Sequence, residues 1–342
     1  QSWSEVGIVF GVDENGRQAI IPEEALSRHI HIVGASGFGK TTFLFHLLDQ
    51  RIRTGKGFCF LDLKADADVL EDLLVRVSHA GRLNQFKVFS LSKPDLSCAY
   101  NPIARGSPSE IKDKIMGMGE WSESFYEKEA ERFLSIILKA FVLIRDQSGK
   151  VFTLRDISEC ARQEISFQIL IELLPEGEES LKFDLEDLNL HLRKRDGLKN
   201  LQGLLSEIDL LLNSEFGPLL EASKGRRIDL LDAVLNQEMI YFLMDVRRFD
   251  KTAERLGRVI LKDLSTVSGE IGDRIPESER KDFLVIVDEF AQLATLQFVR
   301  FLQTARSSRM GIVISHQEIS DLSFINASMP ASIMQNLSLI HI

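Results

Sequence analysis

Residues 31–48 read HIVGASGFGKTTFLFHLL: an apolar strand, a glycine-rich turn and an amphipathic run. No other stretch restricts the fold as tightly. Gly34 to Thr41 fits G-x-x-x-x-G-K-[ST] in full, with a strand before it and a helix after it, the context that gives the motif its meaning. Glycines at 34, 37 and 39 let the backbone wrap closely. The N–H groups of Gly34, Ala35, Ser36, Gly37, Phe38 and Gly39 can then face a phosphate chain. The helix that begins there presents its positive dipole end. Lys40 is placed to reach the β- and γ-phosphates and the Thr41 hydroxyl to ligate Mg²⁺; Thr42 joins the nucleotide-binding set. ATP and Mg²⁺ are the ligands this chemistry fits. A glycine-rich turn with a surface lysine is the bland alternative, and the flanking strand and helix argue against it.

The rest of the chain is punctuated in the same way. VGIVFGVDENGRQAIIP alternates, turns at Asn15-Gly16 and alternates again, which predicts an N-terminal β-hairpin. GFCFLDL and FKVFSL read as strands with a helix between them, ADVLEDLLVRVSHAG. Apolar strands separated by helices predict a mostly parallel sheet covered on both faces. From about Ser107 to Leu231 strand signals nearly vanish. There Ala130, Phe133, Leu134, Ile137, Leu138 and Phe141 fall on one helical face, and Leu198, Leu201, Leu205, Ile208, Leu211 and Leu212 on another. Strand–helix alternation resumes through MIYFLMDV, DFLVIVDEF and GIVISHQ. The expected fold is therefore α/β: a RecA-like P-loop NTPase with a central, mostly parallel sheet, an inserted all-α subdomain and an N-terminal β-hairpin. The expected boundaries are 1–106 for the first part of the ATPase domain, 107–231 for the helical insertion and 232–336 for the second part. The remaining stretch, 337–342, reads LSLIHI and looks like translated adapter DNA, so the native sequence is expected to stop near Asn336.

A phosphate loop needs an acidic partner at the end of an apolar strand, and FLVIVDEF supplies one. Asp288 is expected to hold Mg²⁺ through a water, and Glu289 to orient and polarise the attacking water. An acidic pair capping a strand end is the alternative. Gln317 follows the strand GIVIS, where a polar side chain can sense the γ-phosphate; an ordinary loop glutamine is the alternative. His316 beside it reads as packing. QTARSSRMG puts Arg306 and Arg309 at the end of a helix near the same edge, where either could serve a neighbouring subunit as an arginine finger. Two arginines favoured by the helix dipole are the alternative. The catalytic set is thus Lys40, Glu289, Gln317 and Arg306, and the metal set Thr41 and Asp288. RRID and DVRRFDK read as solvated basic helix ends, and Trp121, Phe125 and Tyr126 as packing rather than base-stacking residues.

Composition narrows the function classes. No stretch approaches 18 uninterrupted apolar residues, and LSIILKAFVLI, broken by Lys139, reads as a buried helix. No secretory leader is visible, and the chain, opening on Gln1, reads as starting within a longer protein. Cys59, Cys98 and Cys160 have neither metal-like nor disulfide-like spacing, which fits a reducing cytoplasm. The formal net charge of −10 argues against wholesale coating of nucleic acid but leaves room for a small basic patch.

Taken together, these stretches resemble the TraD/TraG-type coupling proteins of conjugation and type IV secretion, within the wider HerA/FtsK group of motor ATPases. GVDENGRQAIIPEEALSRHIHIVGASGFGKTT resembles the family's lead-in and phosphate loop, and YNPI, Tyr100 to Ile103, its segment after the third strand. VDEFAQLATLQFVRFLQTARSSRMGIVISHQ is similar to its acidic-pair-through-glutamine stretch. FLDLKADA corresponds to a segment usually closer to D-P-K-G-D. Leu63 and Ala65 stand where the proline and glycine would be, so no role is assigned to Asp62 or Lys64. The resemblance implies a homo-hexameric ring at the cytoplasmic face of the bacterial inner membrane, anchored through a segment not present in this chain. It implies ATP-driven transfer of DNA with its relaxosome, or of effector proteins, into the components of a secretion channel. It also implies a helical insertion facing the substrate. A protein-effector ATPase and a nucleotide-gated docking scaffold are the rival readings.

Overall fold

The computed structural model describes residues 7–35, 37–65, 67–119, 121, 123–221, 225–323, 329–336 and 338–341. In chain order the first strands are β1 (Ile8–Val12), β2 (Gln18–Ile21), β3 (Ile30–Val33), β4 (Phe58–Asp62) and β5 (Phe86–Ser90). Then come β6 (Ala99–Tyr100), β7 (Arg227–Ile228), β8 (Met239–Leu243), β9 (Phe283–Asp288), β10 (Met310–His316) and β11 (Ser338–His341). The helices begin with α1 (Glu23–Leu26), α2 (Lys40–Arg53), α3 (Ala67–His79), α4 (Pro108–Met116), α5 (Ser124–Ser148) and α6 (Leu154–Arg162). They continue with α7 (Glu164–Glu172), α8 (Glu179–Leu192), α9 (Gly197–Asn200), α10 (Gln202–Leu212) and α11 (Gly217–Glu221). The last are α12 (Leu230–Asn236), α13 (Val246–Arg274), α14 (Leu296–Ala305), α15 (Ser320–Ser323) and α16 (Met329–Asn336). The chain divides into two compact units. One comprises 1–97, 228–257 and 264–342; the other comprises 98–227 with 258–263.

In the first unit β1 and β2 form the expected antiparallel hairpin, with Ile8 opposite Ile21 and Val12 opposite Gln18. The Asp13 carboxylate accepts from the N–H groups of Asn15 and Arg17, which closes the turn. The main sheet has seven strands in the order β11-β3-β10-β9-β4-β8-β5, and every neighbouring pair is parallel. Every residue of β4, β8, β9 and β10 is buried, as strands covered on both faces require. Parallel pairing forces each connection to cross back over the sheet, so every strand runs out at the same edge. Val33 pairs with His316, Ile314 with Val287, and Asp62 with Asp288. The exits of β3, β10, β9 and β4 therefore lie side by side.

The second unit is helical and has its own core. Ala130, Phe133, Leu134, Ile137, Leu138 and Phe141 are all buried on α5, which contains LSIILKAFVLI. The run from Leu198 to Leu212 is not one face of one helix. It breaks at Leu201 between α9 and α10, and Leu198 is 38% exposed. The YNPI segment is held by a buried polar knot. Lys114 Nζ donates to Asp263 Oδ1 and to Arg105 O, both at 2.8 Å, and Tyr100 OH donates to Asp263 Oδ2 at 2.8 Å. Asn101 Nδ2 donates to Phe152 O at 2.8 Å while its Oδ1 accepts from Ile103 N–H. A buried ammonium is costly unless it is paired and hydrogen-bonded, and the Asp263 carboxylate with the Arg105 carbonyl supplies both here. Trp121 Nε1 donates to Met116 O, and Phe125 is exposed with its ring edge-on to Tyr126. Among the described residues no helix is long and apolar enough to cross a membrane.

Candidate functional site

The loop between β3 and α2 is built on two left-handed glycines. Gly37 has φ 87° and Gly39, the N-cap of α2, has φ 89°. No heavy atom beyond the chain neighbours lies within 4 Å of where a side chain would start at either position. Glycine is therefore required there for its backbone, not for lack of room. The ring of Phe38 points outward and is 71% exposed, so a large residue is accommodated in the loop. Lys40 is buried; its Nζ donates to the Gly34 carbonyl and, at 3.3 Å, to the Ala35 carbonyl. Thr41 is half-buried and Thr42 exposed in the first turn of α2. Ser36 lies outside the described residues.

Two strands away, β9 delivers the acidic pair to the same edge. Asp288 is buried, and its Oδ1 accepts from Ser315 Oγ at 2.7 Å and from the Glu289 N–H at 3.0 Å. On the other side, Asp288 faces Asp62 of β4 across the ladder. Asp62 is equally enclosed: Tyr241 OH donates to Oδ2 at 2.6 Å, and the N–H groups of Lys64 and Ala65 donate to Oδ1 at 2.9 and 3.0 Å. Burial, with the Asp288 carboxylate nearby, pushes the Asp62 carboxyl up to about 6. Among the described residues no group of three or more His, Cys, Asp or Glu gathers to hold a metal. Magnesium does not need one, since it is held by one or two carboxylates together with phosphate oxygens and water. Buried carboxylates at adjacent strand ends, beside an open loop carrying a buried ammonium, fit a magnesium nucleotide.

Glu289 follows Asp288 with φ 53° and ψ 43°, a left-handed conformation that turns the chain sharply off β9. Gln317, at the tip of β10, brings its Nε2 to 3.4 Å from Glu289 Oε1. Lys64 Nζ lies 3.6 Å from the same oxygen. Below them, the Gly34 N–H donates to the His316 carbonyl at 3.4 Å, tying the phosphate loop to β10. His316 Nδ1 donates to Glu318 O at 2.7 Å, so its Nε2 is the acceptor facing His31 Nε2 at 2.5 Å. Burial lowers the pKa of His316, in keeping with a neutral ring.

The structure thus brings Lys40, Asp288, Glu289 and Gln317 to one edge of one sheet. It does not bring Arg306 or Arg309 there. Arg306 is exposed at the end of α14. Arg309, just before β10, donates to Arg280 O at 3.2 Å and lies 3.7 Å from the Asp282 carboxylate. Both sit at the amino edge, opposite the phosphate loop, which corrects the expectation of a shared edge. The reason is topological: α14 leaves the carboxyl end of β9 and must run back before the parallel β10 can begin.

Sequence reasoning passed over four residues that the structure places in or under the site: Asp62, Lys64, Ser315 and His31. Asp62 carried a signal, because FCFLD ends on an acidic residue just as FLVIVD does. Arg247, read as part of a solvated basic cluster, is exposed and also donates to the Lys64 carbonyl at 2.8 Å. The lost glycine of the D-P-K-G-D-like segment also has an explanation. Ala65 has φ 53°, a conformation that glycine enters more easily.

No family model matches the chain. Over 96% of its length it is 21% identical to the type 4 coupling protein DotL of Legionella pneumophila, and it spans 49% of that relative, about half its length. The unbound bacterial conjugative coupling protein TrwB superposes with a TM-score of 0.64 at 13% identity, covering 99% of this chain and 72% of that one. The plasmid coupling protein TrwB in complex with ADP and Mg²⁺ gives 0.60 at 14% identity, covering 99% and 74%. The resemblance to type IV coupling proteins is borne out, and so is the RecA-like P-loop fold with a central parallel sheet.

Proposed function

We propose that this chain is the motor portion of a type IV coupling protein, an Mg²⁺-dependent ATPase that drives or licenses transfer of DNA into a conjugation or secretion channel. The observation that carries this reading is the meeting of Lys40, Asp288, Glu289 and Gln317 at the exits of three neighbouring strands. Bound ATP with Mg²⁺ supplies the phosphoanhydride whose cleavage releases the energy. The loop N–H groups and Lys40 bind the phosphates, and Thr41 and Asp288 would hold the metal. Glu289 orients the attacking water, and Gln317, resting on Glu289, links the tip of β10 to the same carboxylate.

Arg306 is exposed and far from its own phosphate loop, which a finger serving the next subunit of a hexamer requires. The full assembly is proposed to work at the inner face of the bacterial inner membrane, through a segment outside this chain, with relaxosome and channel components as partners. A second reading, in which the cargo is protein effectors, is favoured by the formal net charge of −10.

Glu289→Gln is expected to abolish ATP turnover while retaining ATP affinity; persisting turnover overturns the assignment of the base. Steady-state ATPase measured with and without DNA then separates the cargo readings. Stimulation that falls steeply with salt supports DNA. Absence of stimulation by either single- or double-stranded DNA supports protein cargo.

A further inference from the structure

We infer that Lys64 is a positioning residue for Glu289, acting on the water-activating carboxylate rather than on the phosphates; the inference rests on the ATPase reading above. Register brings the two residues together. β4 and β9 are neighbours, with Asp62 directly opposite Asp288. Lys64 stands two residues beyond the end of β4, and Glu289 one residue beyond the end of β9. Both side chains emerge past the same edge, and Lys64 Nζ comes within 3.6 Å of Glu289 Oε1.

The backbone that carries Lys64 is fixed on every side. Asp62 Oδ1 accepts from the N–H groups of Lys64 and Ala65, and Tyr241 OH holds the other oxygen of Asp62. The Leu63 carbonyl accepts from the Val246 N–H at 3.0 Å, and the Lys64 carbonyl from Arg247 Nη2 at 2.8 Å. An ion pair between two long surface side chains contributes little, because much of the Coulomb gain is lost in ordering them. Here the turn is already ordered by other bonds, and the Glu289 side chain is only 12% exposed.

The chemistry follows from which oxygen is engaged. Lys64 and Gln317 both approach Oε1 of Glu289, at 3.6 and 3.4 Å. Gln317 donates to Oε1, and the Lys64 ammonium, beyond hydrogen-bond reach, attracts the same oxygen by its charge; together they turn the carboxylate so that Oε2 is left to accept a proton from water. Lys40 has a different commitment: its Nζ is drawn to the carbonyls of the phosphate loop itself. The two lysines therefore divide the work. Lys40 serves the phosphates, and Lys64 serves the base.

The test compares Lys64→Met and Lys64→Arg with the wild type and Glu289→Gln, measuring kcat, KM, ATP dissociation constant and melting temperature. For Lys64→Met, kcat is expected to fall on the order of tenfold or more, as a misplaced catalytic group does, with the ATP dissociation constant within about twofold of wild type. Lys64→Arg, which keeps the charge, is expected to recover most of the loss. Both variants are expected to melt with the wild type, since Lys64 is about one-third exposed. An unchanged kcat in Lys64→Met overturns the inference. So does weakened ATP affinity with kcat intact, which would make Lys64 a phosphate ligand, and so does an arginine variant no better than methionine. If the wild type does not hydrolyse ATP, or Glu289→Gln hydrolyses it normally, the ATPase reading fails and takes the inference with it. A dead Glu289→Gln beside an unaffected Lys64→Met sinks the inference alone.

Discussion

The two edges of the central sheet are held by different kinds of contact. At the amino edge, arginines cap backbone carbonyls at short distances. Arg51, 1% exposed, donates to both Glu23 oxygens at 2.9 and 3.0 Å, to Gly57 O at 3.1 Å and to Asp282 O at 2.8 Å. Arg82 reaches Ile52 O, Lys56 O and Gln237 O, and Arg280 reaches Ile275 O, Ser307 O and Gly272 O. At the carboxyl edge the contacts to Glu289 are 3.4 and 3.6 Å, and Lys40 rests on the carbonyls of its own loop. Guanidinium groups bonded to main chain fasten strand starts to one another, and nothing about turnover asks them to let go. Beneath its outermost groups the carboxyl edge is also firmly held, with Asp62 and Asp288 bonded at 2.6–3.0 Å. The loose contacts are confined to Glu289, which on the proposed function would, with Lys40, exchange partners when nucleotide binds.

This contrast can be broken most forcefully at Arg51. Arg51→Met strips the Gly57 and Asp282 carbonyls of this charged donor and leaves Glu23 with Lys56 alone, and the expected loss is about 3–5 kcal/mol, most of it the cost of two buried acceptors left unpaired. Urea unfolding is the measurement, with ATP affinity unchanged in the folded variant. A loss below about 1 kcal/mol, the scale of an exposed pair, would remove the distinction between the edges.

A somewhat smaller effect is expected at His29. Its Nε2 donates to Leu302 O at 2.7 Å and its Nδ1 accepts from the Ile312 N–H at 3.1 Å, so only the neutral ring fits. Burial lowers its pKa from 6.5 to about 4. Between those values the unfolded chain binds a proton that the native chain refuses, so stability rises with pH through the window. The stabilisation is fully present above 6.5 and lost as pH falls toward about 4. Its size is roughly 3 kcal/mol at 1.36 kcal/mol per pKa unit. His29→Gln keeps a donor and an acceptor but does not titrate. Unfolding midpoints compared across this window should therefore show a flatter dependence in the variant, and equal slopes would refute the assignment.

The smallest change sharpens the picture at the carboxyl edge. Ala65→Gly relieves a left-handed alanine but frees the unfolded chain, for an expected net gain of about 0.5 kcal/mol in unfolding free energy. A loss instead of a gain would mean that the methyl's packing outweighs the strain.

The phosphate loop and the acidic pair were legible because their chemistry is local. A glycine at a left-handed position, a lysine at a helix start and an aspartate at the end of an apolar run are each specified within a few residues. The strands were legible for the same reason, through runs such as FLVIVD and MIYFL. The Leu198–Leu212 face was misread because leucine spacing cannot reveal the break at Leu201. Arg306 was put at the wrong edge because a helix has two ends, and only the parallel pairing of β9 with β10 says which one lies beside Asp288.

What this sequence determined by itself was a phosphate-binding fold and the acidic strand end that goes with it, because each is written in contiguous residues. What only the tertiary structure decided was the company those residues keep: Asp62 opposite Asp288, Lys64 and Gln317 on one oxygen of Glu289, and His316 beneath the phosphate loop. Those neighbours come from strands far apart in sequence. Strand order and register set them, and these are properties of the packed sheet that no single segment contains.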